Sequence, residues 1–253
     1  MNNLVRNNSF STYLKTPVVL AAIALIMLLQ SCDQLDSIFG KELTEEEIVA
    51  GLKDALNHGT DTAVTRLSAE DGYYGDLAVK ILLPKEAQPI YEALNYLPGG
   101  LVDETILAVN RAAEDAADAA TPIFIDAILN LSINDGKEIL FGNDTAATHY
   151  LRVNTSNQLY SAFKPKIEQS LGKKLVFNLS AEEFYTRLIN TYNDASLNGL
   201  LFDKITENSL SEYTTKRALN GLFLKISEEE KLIRKDPSHR VTEQLQKVFS
   251  ELD

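Results

Sequence analysis

Residues 211–235 read SEYTTKRALNGLFLKISEEEKLIRK, and Pro237 follows two positions later. Leu219, Leu222, Phe223, Ile226 and Ile233 recur at three-, four- and seven-residue spacing, so they trace one stripe of a long helix that Ser211 opens and that ends before Pro237. Ile226 and Ile233 stand two turns apart on that stripe, and Glu229 and Glu230 fall in the gap between them. One carboxylate is thereby drawn toward the apolar interior, with Arg234 four residues after Glu230 and able to reach it. A single apolar stripe is stable only against other elements.

The rest of the chain supplies helices. Thr44 with Glu47 has the capping-box pattern ahead of Ile48, Leu52 and Leu56, with Gly59 as the expected stop and a second short helix to Leu67. Residues 71–84, with Gly72, Gly75 and the adjacent Tyr73 and Tyr74, read as a loop ending in an extended stretch from Val79 to Leu83 that lacks a partner strand. A helix is expected over 85–97, closed by Pro98, Gly99 and Gly100. Val102, Ile106, Val109, Ala113 and Ala117 mark a longer one, whose alanine-rich second half lets backbones approach closely and places it centrally. Thr121 and Pro122 suit the next N-cap and first helical position. Ser132 with Asp135 opens a short helix ending at Gly142. Asn143 or Asp144 caps a segment carrying Ala147, Tyr150 and Leu151, continued by Leu159, Phe163, Ile167 and Leu171, with a kink expected at Pro165. Ser180 with Glu183 repeats the capping box, and Val241, Leu245 and Val248 form one face of a last helix. No repeat of 20 to 50 residues emerges. The expected fold is all-α, a single multi-helix bundle over residues 44–253.

Ahead of it, Arg6 and Lys15 precede an unbroken apolar run from Val18 to Leu29, too short for a comfortable membrane span of about 20 residues. The run ends Leu29-Gln30-Ser31-Cys32, which resembles a lipobox, although Gln30 stands where that pattern prefers a smaller residue. The resemblance implies a signal peptide over 1–31, lipidation at Cys32 and a short tether over 32–43 that includes Leu35, Ile38 and Phe39. Stable membrane anchoring through several acyl chains follows. Cys32 is the chain's one cysteine, so no intramolecular disulfide supports the fold.

Removing Arg6 and Lys15 leaves 22 basic against 36 acidic residues, a formal charge of −14 on the mature chain. Such a surface disfavours nucleic acid, whose binding rests on Lys and Arg neutralising phosphates, and disfavours lying flat on an anionic membrane.

Several polar groups are candidates for chemistry or ligand contact. A desolvated Glu229 or Glu230 has the setting of a general acid or base, against the simpler role of an ion pair with Arg234. Asn110 lies one turn after Ile106 on the apolar stripe, beside Arg111 and with Glu114 in reach, and a buried asparagine must find partners. Arg152 and Lys164 could clamp an anion such as a carboxylate, or pair with acidic residues. Asp54 and His58 share a helix face, but two ligands from one helix make no metal site, and His149 and His239 have no such partner nearby. Phosphate-cradling glycine loops, nucleophile elbows and paired-histidine zinc motifs are lacking. Two-carboxylate glycoside hydrolysis fits poorly, since the chain has no tryptophan for sugar stacking.

Three ordered segments resemble the bacterial domain-of-unknown-function family 4197. They are Asn110-Arg111-Ala112-Ala113-Glu114 with residues 122–128 (PIFIDAI); residues 144–148 (DTAAT) with Thr155-Ser156 and Phe163-Lys164-Pro165; and Lys216 through residues 218–223 (ALNGLF) to 228–234 (EEEKLIR). The resemblance implies an exported helical protein of a Gram-negative envelope, with no established activity or cofactor. The expected function is a non-enzymatic binding or interaction module with a protein or envelope component as partner and no cofactor. A carrier of a small apolar ligand, with Asn110, Arg111 or Glu230 fixing its polar end, and a carboxylate-dependent hydrolase are the alternatives. A deep pocket would favour either alternative over the interaction module.

Overall fold

Four N-caps set the frame. Ser132, Ser180, Ser209 and Thr242 each accept a hydrogen bond from the backbone N–H three residues on, and at Ser132 and Ser180 the acidic residue at that position bonds back, completing two capping boxes. The computed structural model describes residues 43–88, 91, 100–174, 178–197, 199–201, 203–206 and 209–252. The expected signal peptide, Cys32, all but the last residue of the expected tether and most of the helix expected over 85–97 lie outside the described residues. Within the unit Glu45–Asp253, the described α-helices are α1 (Glu45–Ser68), α2 (Leu101–Ala117), α3 (Ala120–Leu129), α4 (Ile133–Leu140), α5 (Ala146–Leu171), α6 (Ala181–Ala195), α7 (Leu210–Lys235) and α8 (Glu243–Phe249). The fold is all-α, as expected.

The two longest helices, α5 and α7, share the largest packing interface and run antiparallel, with Thr148 beside Glu230 at one end and Arg152 beside Asn220 further along. Apart from Thr148, which meets Glu230, the buried residues of α5 are Ala147, Leu151, Thr155, Leu159, Phe163, Ile167 and Leu171, spaced four apart throughout. At 3.6 residues per turn, each four-residue step advances the stripe by about 40° around the axis. The stripe therefore spirals across the helix, and α5 packs in turn on α3 and α4, on α7 and on α2. The alanine face of α2 is fully buried, as its composition implied.

Several expectations on local detail are corrected. Gly59 does not end a helix, because α1 runs through it to Ser68; a mid-helix glycine costs about 1 kcal/mol, less than burying the continuous stripe of Leu56, Ala63, Val64 and Leu67 returns. Residues 79–83 are not a strand. Pro165 does not interrupt α5, and since Pro165 and Ser161 are both exposed, the carbonyl freed by the missing N–H faces water. Helix α3 begins at Ala120 with Ala119 as its N-cap, leaving Pro122 within the first turn. Thr145 is the N-cap of α5 and Ser209 that of α7, in place of the expected Asn143 or Asp144 and Ser211. Val241 is exposed and precedes α8, whose buried face is Leu245, Val248 and Phe249. That face closes on α1 at Gly51, where a Cβ would fall 2.3 Å from Val248 Cγ2.

Candidate functional site

Glu230 is buried and its carboxylate points across the bundle to the first turn of α5. It accepts from Ala147 N at 2.9 Å, from Thr148 N at 2.8 Å and from the Thr148 hydroxyl at 2.7 Å. Helix α5 gets no capping bond from the side chain of its own N-cap, Thr145, so Glu230 satisfies N–H groups that would otherwise be orphaned and adds a negative charge at the positive end of the dipole. Arg234 completes the node. Its Nε donates to Glu230 at 3.0 Å, and its two terminal nitrogens donate to Leu140 O at 3.0 Å and Ile139 O at 2.7 Å, the carbonyls ending α4. One ion pair thus brackets the α4–α5 corner, the anion on a helix start and the cation on a helix end.

Glu229, the neighbouring candidate, bonds Arg66 of α1, whose side chain is 63% exposed. The cavity beside the Glu230–Arg234 node, lined by Leu52, Ile226, Ile233 and Phe249, measures about 20 Å³, room for about one water.

Asn110 is fully buried and holds Ile81 by both backbone groups. Its Oδ1 accepts from Ile81 N and its Nδ2 donates to Ile81 O, each at 2.8 Å, with a further bond to Ile106 O. The amide reproduces at Ile81 what a neighbouring strand would offer, so that residue needs no sheet partner. One turn on, Glu114 accepts from the N–H groups of Tyr73 and Tyr74 at 3.0 and 3.1 Å and from Arg111 at 2.6 Å, and Arg111 also bonds Asp71 at 2.8 Å. These contacts, led by the bond to Glu114, hold the Arg111 guanidinium charged above its ordinary range. Tyr73 fills the interior and donates to Ala218 O, and burial, with the Glu114 charge second, pushes its phenol far up. Residues 69–84 therefore form a strap tied to α2 and α7.

Arg152 and Lys164 are not brought together. Twelve residues apart on one helix, they are separated by roughly 18 Å of rise; Arg152 donates to Asn220 Oδ1 at 3.2 Å and lies 4.3 Å over the Phe223 ring, while Lys164 pairs with Glu168 at 3.8 Å. Asp54 accepts from the Thr242 hydroxyl, so it supports the start of α8. His239 bonds Asp236 at 3.1 Å, and His149 is exposed. Among the described residues, no group of three or more His, Cys, Asp or Glu is placed to hold a metal ion, and no helix is long and apolar enough to cross a membrane.

Two structural anchors escaped the sequence reading. Asn193 clasps Ile205 as Asn110 clasps Ile81, Oδ1 to N at 2.9 Å and Nδ2 to O at 3.0 Å. The signal was present, because Asn193 stands one turn after Ile189 on the buried stripe of α6. Glu182 receives the N–H groups of Leu210 and Ser211 and so caps α7 from outside; nothing local to 182 announces that.

Comparison with known proteins finds neither a curated protein nor a solved structure that matches this chain. A family does match. It is described as a protein of unknown function, DUF4197, and covers residues 42–250, which includes all eight described helices and both polar nodes; the chain belongs to this family.

Proposed function

We propose that the protein is a lipoprotein of a Gram-negative cell envelope, anchored through Cys32 on the periplasmic or surface side, whose helical domain is a non-enzymatic binding or interaction module. One observation carries the reading of the domain: the buried polar side chains nominated for chemistry spend their bonding capacity on the protein's own frame. Glu230 and Arg234 close a helix corner, and Asn110 holds the strap. A general acid needs a free face toward substrate, which this arrangement does not offer at Glu230. The void beside that node, about 20 Å³, is far below the roughly 300 Å³ at which small-molecule sites begin. This supports an interaction module over a carrier that holds its ligand inside the bundle.

Two experiments test the proposal. Cys32→Ser should abolish lipidation and detergent-phase partitioning; a mutant that is still lipid-modified refutes the anchor. Native mass spectrometry of the protein taken from its own envelope should show a copurifying protein. A stoichiometric small molecule would move the assignment to a carrier, and a hydrolytic activity lost in a folded Glu230→Gln variant would move it to an enzyme.

A further inference from the structure

Two open depressions, of about 360 and 460 Å³, lie along the outer face of α7 and meet at Asn220 and Leu224, which line both. One runs between α7 and the strap, the other between α7 and the first turns of α5. Together they follow α7 from Tyr213 to Ser227, a length of about 21 Å. The sequence holds three acidic residues for every two basic ones, yet among the described residues neither depression is lined by an aspartate or glutamate. Lys85 and Arg217 line the first with Lys80, and Arg152 lines the second beside His149.

The four cations share a second property. Among the described residues no carboxylate pairs with any of them, whereas Arg66, Arg111, Lys137, Lys174, Lys225 and Lys247 all sit in ion pairs. Three of the four are instead held over aromatic rings: Lys80 at 3.7 Å from the Tyr74 centroid, Arg152 at 4.3 Å from Phe223 and Arg217 at 5.2 Å from Tyr213. A ring face orients a cation without neutralising it. The guanidinium groups of Arg152 and Arg217 flank Asn220, one from the neighbouring helix and one from a turn earlier on α7 itself. The exposed side chains of Leu82 and Leu224 add an apolar floor between the charges.

We propose that this groove is a docking site for an extended acidic peptide segment of a partner protein, its carboxylates meeting Lys80, Lys85, Arg152 and Arg217 and an apolar side chain resting on Leu224. About six extended residues span the groove, and bidentate pairing to arginine suits carboxylates. A planar anionic membrane fits worse, because a flat surface cannot enter a groove between helices and the chain as a whole is strongly acidic; the same overall charge repels nucleic acid. The proposal rests on the interaction-module reading and names its surface.

The test uses the full lipidated chain in non-ionic detergent and a fluorescent octapeptide of alternating Glu and Leu, followed by anisotropy at low and high salt. Saturable, salt-weakened binding is expected, with an alternating Lys and Leu octapeptide failing to bind. Arg152→Glu with Arg217→Glu should weaken it by at least about tenfold. Lys85→Glu, at an exposed position whose side chain has no bonded partner among the described residues, should weaken it severalfold without touching the fold, and Lys231→Glu, outside the groove, should not. No saturable binding, binding indifferent to these substitutions, or preferential capture of phosphatidylglycerol vesicles through the same residues would overturn the proposal. A copurifying envelope partner retained by the Lys85→Glu and Arg152→Glu variants would refute this surface while leaving the interaction module standing.

Discussion

Replacing Glu230 with alanine removes three hydrogen bonds at the start of α5 and the ionic partner of Arg234 in one step. The groups left behind decide the size of the effect. Thr148 N–H and hydroxyl and Ala147 N–H lose their acceptor in a buried setting, and losing a helix cap alone costs about 1 kcal/mol. Arg234 remains buried with its charge uncompensated, although Ile139 and Leu140 carbonyls still receive it. Stranding one member of a buried pair typically costs about 3 to 5 kcal/mol, and the surviving carbonyl bonds argue for the lower half of that range. Glu229→Ala is the internal control: its partner Arg66 is 63% exposed, so water takes over the freed charge and the loss should be about 1 kcal/mol or less. Urea unfolding of both variants, with unchanged slopes, measures the difference through the midpoints. Adding Arg234→Ala to Glu230→Ala should cost less than the sum of the two single losses. A Glu230→Ala loss under about 0.5 kcal/mol, or a larger loss at Glu229, would refute the bracket as a source of stability.

Other expectations follow from the same geometry. Asn110→Ala leaves both backbone groups of Ile81 without partners and should cost about 2 to 4 kcal/mol, with faster amide exchange at Ile81 as the local readout; unchanged exchange there would contradict the strap assignment. The Thr214 hydroxyl is buried without a hydrogen-bond partner among the described residues, so Thr214→Val should raise stability by up to about 1 kcal/mol, and a lowered urea midpoint would show that the hydroxyl is satisfied in solution. Glu183 is held at about 2 by Lys174 and by the Ser180 N–H, below its ordinary 4.5, and Asp76, Asp144, Glu212 and Asp236 are lowered as well. Depressed carboxylates stabilise the fold above their unfolded pKa and lose that contribution as pH falls through the folded one, so the urea midpoint should drop between about pH 4.5 and 2. Tyr73 acts with the opposite sign, its raised phenol favouring the fold until the unfolded chain begins to ionise near pH 10. A midpoint indifferent to pH at both extremes would contradict these placements.

The helices were legible because their signals are local. Serine caps, the acidic residue three positions later and the three- and four-residue spacing of Leu219, Leu222, Phe223 and Ile226 all act within one or two turns. That Glu229 or Glu230 faces the core, with Arg234 in reach of Glu230, was equally readable, since all three lie on one helix. What the carboxylate does there was not. Its targets, Ala147 and Thr148, are more than eighty residues away, and only the antiparallel seating of α5 on α7 brings them together. The break expected at Gly59 fails for a related reason: a weak local stop is overridden by a stripe that tertiary packing rewards along its whole length. Arg152 and Lys164 could form a clamp only as the two halves of an interrupted helix, and α5 runs unbroken through both. Asn193 was missed although the rule that singled out Asn110 applies to it unchanged, one turn past an apolar residue on a buried face.

The contact between α1 and α8 bears on how the chain reaches this state. Gly51 lies against Val248, and Glu47 bonds Lys247 at 2.7 Å, so the first helix of the domain is completed by the last. Glu230 likewise finishes the start of α5 from a segment synthesised much later. Helical bundles owe their speed to contacts between neighbours in sequence. Here α1 keeps an unburied face until α8 has been made, so cooperative locking of the domain waits for residues 243–249.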